Sequence, residues 1–193
     1  MRMSTISRKT KETDITLTLN LDGEGKGNIN TGVSFFDHML SAFAVHSGFD
    51  IDLSCCGDIE TGSHHTVEDI GIVLGMAYRE ALGIRKDIIR YGSFTIPMDE
   101  SLVSAHCDLC GRAFLVFFGN FSYHKIGDME SEMVEHFFRA FVMNAQITLH
   151  IKCQYGSSDH HKAEGMFKAF AHALSIASKQ TESGRILSSK GTL

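Results

Sequence analysis

The sequence predicts an α+β protein with an internal duplication: two similar halves, each a roughly four-stranded sheet with two helices on one face. Three features of the first half return in the same order in the second, at offsets of 96, 96 and 98 residues. These features are HHTVE (64–68) with HHKAE (160–164), Ile51 with Ile147, and Asp37-His38 with Glu135-His136. One order at nearly one offset indicates duplication, and we place the repeats at about residues 1–92 and 93–183 of a single domain, 1–193.

The first half opens with residues 15–21, whose apolar and polar residues alternate as in a half-buried strand. GEGKG at 23–27 lacks the spacing of a phosphate-binding loop and predicts a turn. Apolar residues between 34 and 45 have helical spacing, with Gly48 as the stop signal. A strand at 50–56 and a helix at 66–82 complete this half.

The second half shows the same kinds of element. Residues 94–98, 102–108 and 114–118 are predicted strands, and an apolar stripe predicts a helix over 134–145. An alternating strand at 147–153 and a helix at 163–177 follow. From residue 184 the periodicity ends, so residues 184–193 are predicted to be a C-terminal tail.

Composition excludes several functional classes. The 18 basic and 23 acidic residues give a net charge of −5, which argues against binding to nucleic acid or to an anionic membrane. No run approaches the ~18 apolar residues of a membrane helix, and the start of the chain lacks a signal-peptide pattern. We therefore expect a cytoplasmic protein whose five cysteines are free thiols.

The duplicated HHxxE motifs, among 11 histidines, predict metal binding. On a helix, the first His and the Glu share a face, whereas the second His points about 100° away. One ion would then take the first His and the Glu of one repeat with the second His of the other. The predicted sets are His64, Glu68 and His161, and His160, Glu164 and His65, with His38 and His136 as fourth ligands. Such nitrogen-rich sets suit Mn, Fe, Co or Zn.

The CxxC pair Cys107 and Cys110 lies in and just after a predicted strand, and no second CxxC accompanies it. Ordinary burial is the favoured interpretation of both thiols.

A resemblance follows from the motifs taken together. FFDHML (35–40), HHTVEDIGIVLG (64–75), PMDE (97–100), DLCGR (108–112), VEHFF (134–138), HHKAEGMFKA (160–169) and SSKG (188–191) resemble the imidazoleglycerol-phosphate dehydratases over essentially the whole chain. The resemblance implies a fold like that of domain 2 of ribosomal protein S5. It also implies a hydro-lyase of histidine biosynthesis, with two divalent ions per subunit and Mn²⁺ as the expected metal.

The implied reaction converts imidazole glycerol phosphate to imidazole acetol phosphate. Ions on the substrate imidazole would supply the electron sink that lets the adjacent hydroxyl leave. The resemblance implies Glu12 as the base, and His46 or a metal-bound water as the group that assists the departing hydroxyl. His46 and the metal-bound water also remain alternatives for the base. The substrate-binding residues it implies are Glu12, His38, His46, His64, Glu68, Arg90, Arg112, His160, Lys168, Ser188, Ser189 and Lys190.

The resemblance further implies a homo-oligomer of 24 subunits with sites shared between them, so that Glu12 or the tail could serve a neighbouring subunit. Two alternatives remain open from the sequence. A dinuclear metal-dependent hydrolase would also use paired His and carboxylate ligands, usually with bridging aspartates, and only Asp69 and Asp159 lie beside the motifs. A non-catalytic metal-binding assembly protein would bind the ions and leave the substrate unchanged.

Overall fold

The structure, a computed structural model, describes residues 2–182, 184, 186–189 and 191. The first half consists of strands β1 (Met3–Lys9), β2 (Thr13–Asn20) and β3 (Gly27–Asn30), helix α1 (Ser34–Ser47), strand β4 (Asp50–Gly57) and helix α2 (His64–Leu82). The second half consists of β5 (Tyr91–Met98), β6 (Ser101–Asp108), β7 (Phe114–Phe118), a hairpin of β8 (Lys125–Ile126) and β9 (Met129–Glu130), helix α3 (Met133–Ala145), β10 (Thr148–Tyr155) and α4 (Asp159–Ser178).

The two halves share one topology. The sheets have the orders β1-β2-β4-β3 and β5-β6-β10-β7, and in each the first two pairs of neighbouring strands are antiparallel while the last pair is parallel. Apart from the inserted hairpin, each half repeats three strands, a helix, a strand and a helix. The predicted α+β class and its duplication are therefore confirmed.

The helices of the two halves pack on each other across the core, α1 against α4 and α2 against α3, while α2 and α4 also cover their own sheets. Phenylalanines dominate this contact. Phe137 of α3 stacks on Phe167 of α4 with ring centroids 5.0 Å apart, and Phe36 of α1 meets Phe137 edge-on at 5.3 Å. Because each helix of one half lies beside a helix of the other, side chains far apart in sequence meet along two seams.

Differences from the predicted elements are largest at helix starts and edge strands. Helix α2 begins at His64 and α4 at Asp159, so both HHxxE motifs lie inside the first turns rather than before them. Strands β1 and β3 were not predicted. Both lie at the edges of their sheet, and their exposed polar residues carry little of the apolar signal that marks a strand. Within the described residues, no helix is long and apolar enough to cross a membrane.

Candidate active site

Each HHxxE motif forms a His–Glu pair on one helical face. Nε2 of His64 lies 3.0 Å from Oε2 of Glu68, and Nε2 of His160 lies 3.2 Å from Oε2 of Glu164. The i,i+4 spacing produces both pairs because such residues are neighbours on a helix surface. The first His and the Glu of each motif therefore lie side by side, as their helical spacing predicts.

The third member of each cluster comes from the opposite half. His136 on α3 joins His64 and Glu68, with its ring centroid 4.9 Å from that of His64 and its Nδ1 4.0 Å from Glu68 Oε2. His38 on α1 joins His160 and Glu164, with Nε2 3.6 Å from Glu164 Oε2. The ligand atoms of each trio lie within 4.8 Å of one another. We call these trios the α2/α3 cluster and the α1/α4 cluster.

The second histidines do not complete these clusters within one chain. Nδ1 of His65 lies 3.0 Å from Asp58 Oδ2, and Nδ1 of His161 lies 2.7 Å from Glu100 Oε2. Among the described residues, His136 accompanies His64 and Glu68 where His161 was predicted. His38 accompanies His160 and Glu164 where His65 was predicted. Each cluster therefore does combine ligands from both halves, as expected, but the third ligand comes from α1 or α3, because those helices pack beside α4 and α2.

A hairpin in the second half fixes the starts of both helices of the first half. The Asp128 carboxylate, between β8 and β9, accepts hydrogen bonds from the backbone N–H groups of Ser34 (2.7 Å) and Phe35 (2.8 Å) at the start of α1. Glu130 on β9 accepts bonds from the amide and the hydroxyl of Ser63, just before His64. Two carboxylates thereby cap the helix starts next to the clusters, where unpaired N–H groups favour negative charge.

The α1/α4 seam continues as a polar stripe on α4, formed by His160, Glu164, Lys168 and His172 at spacings of four residues. Lys168 Nζ lies 2.6 Å from Glu164 Oε1, and His172 Nε2 lies 3.1 Å from His46 Nδ1. Phe94 stacks on the His172 ring with centroids 4.1 Å apart. This stripe places two predicted residues, Lys168 and His46, on the same seam as the α1/α4 cluster.

Burial and neighbouring charges shift several pKa values along this stripe. Burial lowers the pKa of His46, and the nearby His172 and Lys168 lower it further. Burial also lowers the pKa of His172. Burial alone would raise the pKa of Glu164, but the Lys168 hydrogen bond and the positive potential of its surroundings bring it below the ordinary value. The stripe therefore favours an anionic Glu164, the form in which a carboxylate ligates a metal, and neutral rings at His46 and His172.

Glu12 lies in the turn between β1 and β2, exposed at the surface, with Oε1 3.7 Å from Nε2 of His65. Among the described residues its carboxylate accepts no hydrogen bond within 3.5 Å. His65 is in turn held by Asp58, and that hydrogen bond raises its pKa. The candidate base is thus an exposed carboxylate next to a motif histidine.

The predicted phosphate-binding residues divide into four groups. The Arg90 guanidinium is buried, donating to Asp108 Oδ1 at 2.7 Å and also to the Leu187 carbonyl, so these donors are engaged within the chain. Arg112 is exposed. Ser188 and Ser189 lie in the tail segment that Arg90 holds, whereas Lys190 is outside the described residues. Lys168 is the cation placed next to a cluster.

The aspartates beside the motifs have other roles. Asp69 receives a 2.6 Å ion pair from Arg8 and a hydrogen bond from Thr13. Asp159 is paired with Lys162 at 2.9 Å and accepts backbone bonds from the loop before β8. Neither is available to bridge two ions, which removes the main feature expected of a dinuclear hydrolase. Cys107 and Cys110 are both buried, in agreement with the structural interpretation of the CxxC pair.

Three residues of this site were not predicted from the sequence: Asp58, Glu100 and His172. His172 had a detectable signal, because it extends the four-residue spacing of His160, Glu164 and Lys168 along an otherwise apolar helix. Asp58 and Glu100 lie in turns that the folded chain brings beside the helix starts. No periodicity marks such positions.

Comparisons with known proteins agree with this description. The family model of imidazoleglycerol-phosphate dehydratase matches residues 31–174. Proteins of that name from Acetivibrio thermocellus and Methanospirillum hungatei are 55% and 52% identical to the chain. The first match covers 97% of each chain and the second covers 100% of each.

Solved structures give the same result. The crystal structure of imidazoleglycerol-phosphate dehydratase from Staphylococcus aureus has a TM-score of 0.85 at 40% identity, covering 93% of this chain and 99% of that one. The enzyme from Pyrococcus furiosus has a TM-score of 0.82 at 34% identity, covering 97% and 100%. A dehydratase of this kind is a hydro-lyase. The family match, the near-complete coverage and the shared fold together show that this chain belongs to the imidazoleglycerol-phosphate dehydratase family.

Proposed function

We propose that the chain dehydrates imidazole glycerol phosphate to imidazole acetol phosphate in histidine biosynthesis, using two divalent metal ions. Family membership supports the reaction. The observation that carries the metal dependence is the pair of clusters, each with two imidazoles and one carboxylate contributed by both halves. An arrangement repeated at equivalent positions is unlike the scattered histidines of a solvated surface.

The donor sets fit a borderline divalent ion. Ligand bonds of ~2.0–2.2 Å to nitrogen and oxygen place two ligands no more than ~4.4 Å apart across an ion, close to the 4.8 Å within which each trio already lies. Imidazole and carboxylate together suit Mn, Fe, Co and Zn, and we propose Mn²⁺. The α2/α3 cluster would hold one ion through His64, Glu68 and His136. The α1/α4 cluster would hold the other through His38, His160 and Glu164.

Bound ions would supply Lewis acidity toward the nitrogens of the substrate imidazole. The reaction itself removes a hydroxyl from the carbon attached to the ring and a proton from the next carbon, giving an enol that becomes the ketone. The chain must therefore provide a proton acceptor and a group that assists the departing hydroxyl.

We assign proton removal to Glu12, because its carboxylate accepts no described hydrogen bond and lies beside His65. An exposed carboxylate in this turn can approach a substrate without breaking any described hydrogen bond. His46 is assigned to the hydroxyl. Its Nδ1 faces His172, so its other ring nitrogen is the one left to meet the substrate.

Lys168 is the proposed centre of the phosphate site, because it combines a positive charge with a place on the α1/α4 seam. Arg112 and the tail residues Ser188, Ser189 and Lys190 would complete it. Arg90, whose donors hold Asp108 and Leu187, contributes by fixing the tail in this chain.

We further propose a cytoplasmic homo-oligomer of 24 subunits. Two observations support assembly: His65 and His161 stand outside the clusters of their own chain, and large aromatic residues are exposed on the outer surface of the second sheet. The aromatic residues are Phe114, Phe118 and Tyr155, each about 60% exposed. The five free cysteines fit a reducing compartment.

The deciding experiment incubates the Mn²⁺-loaded protein with imidazole glycerol phosphate and follows the enolisable ketone product. We expect ketone formation that is lost after chelation and restored by Mn²⁺. Release of inorganic phosphate without ketone would instead establish a hydrolase, and bound Mn²⁺ without either product would establish a non-catalytic metal protein. His150→Ala, at an exposed histidine that belongs to neither cluster, controls for general effects of substitution.

A further inference from the structure

Each second histidine of the HHxxE motifs has a carboxylate of its own half at Nδ1. For His65 this is Asp58, with its two oxygens 3.0 and 3.1 Å away, and for His161 it is Glu100 at 2.7 Å. In both cases Nε2 faces a more distant carboxylate, Glu12 or Asp99, each at 3.7 Å. The pattern occurs in both halves although the Nδ1 partners come from different parts of each repeat.

The hydrogen bond determines the tautomer of each ring. An ionised carboxylate accepts hydrogen bonds and donates none, so Nδ1 must carry the hydrogen. A neutral imidazole has one N–H, and its Nε2 then presents a lone pair. Within the described part of the chain, neither Nε2 makes a hydrogen bond.

We propose that Asp58 and Glu100 are positioning residues that hold His65 and His161 in the Nδ1–H tautomer, which leaves Nε2 unprotonated as a metal ligand. This inference rests on the proposed metal-dependent function. The arrangement is the one in which a carboxylate orients a ligating imidazole and raises its basicity. Because neither histidine belongs to a cluster of its own chain, the ion that each would ligate is one held in part by another copy.

The two carboxylates differ in what else they hold. Glu100 Oε1 accepts the backbone N–H groups of Ser157 (3.0 Å) and Ser158 (2.7 Å), and thus fixes the loop that leads into α4. The described side-chain contacts of Asp58 go to His65 alone. Asp58 is therefore the cleaner position for a test. Because Asp58 orients His65, Glu12 is not required for that role.

The test uses the metal-free, full-length protein with ¹⁵N-labelled histidine at pH ~8.5, where the imidazoles are neutral. Long-range ¹H–¹⁵N spectra report which ring nitrogen carries the hydrogen. We expect His65 and His161 to be Nδ1–H in the parent protein. Asp58→Ala should release His65 from that tautomer and leave His161 unchanged, which also shows that the variant is folded. Asp58→Asn, whose amide oxygen can still accept the bond, should retain it.

Mn²⁺ binding to the same proteins gives the second measurement. Asp58→Ala should weaken the affinity ~10- to 100-fold, with partial recovery in Asp58→Asn. Glu60→Ala, a charge loss in the neighbouring turn, is the matched control and should bind as the parent does. An unchanged His65 tautomer or an unchanged Mn²⁺ affinity in Asp58→Ala would overturn the inference. A parent protein that binds no Mn²⁺ would overturn the proposed function instead, whatever the tautomer.

Discussion

Lys168 on α4 occupies the position that Ile72 occupies on α2, each four residues after the glutamate of its motif. The equivalence continues one turn later, where His172 corresponds to Met76, and on the facing helices, where His46 corresponds to Asn144. One seam is therefore polar and cationic beyond its cluster, and the other is largely apolar. The duplicated metal ligands are symmetric, but the surroundings that would select a substrate are not.

This asymmetry predicts that Lys168→Met raises KM. A charge-assisted hydrogen bond to phosphate contributes about 1.5–3 kcal/mol, so KM should increase ~10- to 100-fold. Ile72→Met, at the equivalent position of the other seam, should change KM little. Metal content must be measured in both variants, because Lys168 also pairs with Glu164. An unchanged KM at full metal occupancy would remove Lys168 from the phosphate site.

Removing one ligand from each cluster should lower metal content in steps. The parent is expected to hold about two Mn²⁺ per chain. His64→Ala should empty the α2/α3 cluster and His160→Ala the α1/α4 cluster, with both lost in the double variant. His150→Ala, an exposed histidine on β10, is the control. Equilibrium dialysis followed by metal analysis measures the result, and full occupancy in the double variant would contradict the ligand assignment.

Glu12→Gln should slow turnover without preventing binding. Gln preserves the size of the side chain but cannot accept the proton, and general-base catalysis contributes typically ~10²–10⁴ in rate. We expect kcat to fall by that factor while KM and metal content stay nearly constant. Glu24→Gln, in the next turn of the same sheet, provides a comparison. Near-normal kcat in Glu12→Gln would shift the role of base to His46 or to a metal-bound hydroxide.

Replacement of His172 should change the titration of His46. Burial lowers the pKa of His46 first, and the proximity of His172 lowers it further. His172→Gln keeps a polar side chain but removes the second ionisable ring, so the pKa of His46 should rise toward its ordinary value. NMR titration of the metal-free protein measures this shift. A pKa of His46 that is the same in both proteins would show that His172 contributes nothing, which would leave burial and Lys168 as the causes of the shift.

Glu130 should make the free energy of unfolding decrease as the pH falls into the acid range. Its hydrogen bonds from Ser63 lower its pKa from 4.5 to about 2 in the folded chain. A lowered folded pKa means that the stabilisation is complete above the unfolded value and is lost as pH falls from about 4.5 to about 2.

Glu130→Gln should therefore reduce the free energy of unfolding at pH 7 by about 1–2 kcal/mol and flatten its pH dependence in that window. Urea denaturation of metal-free protein at a fixed concentration measures both. Glu132→Gln, nearby and exposed, is the control. Equal acid dependence in parent and Glu130→Gln would show that the Glu130 carboxylate, which contacts Ser63 and Lys125, contributes nothing to it.

Much of the fold could be predicted because the duplicated motifs and the apolar stripes are local in sequence. The pairing of His64 with Glu68 follows from helical spacing alone. The addition of His136 could not be predicted in that way, since it depends on α3 packing beside α2. The β8–β9 hairpin escaped prediction for a related reason. Its strands are two residues long, and its function lies in carboxylates that reach helices about 70 to 95 residues earlier in the chain.

The crossed composition of the clusters bears on how such a chain could have arisen. A chain of half this length would carry a His–Glu ligand pair on its last helix and a single His ligand on its first helix. The pair and the single ligand would face different seams, so they could not bind the same ion. Only two such chains placed face to face would complete a cluster, and that pair would contain two identical ones. Joining the halves into one polypeptide allows the two clusters and their surroundings to differ in sequence. One ancestral surface can then retain its ligands and acquire Lys168, His46 and His172, while the other keeps the same ligands beside Ile72, Met76 and Asn144.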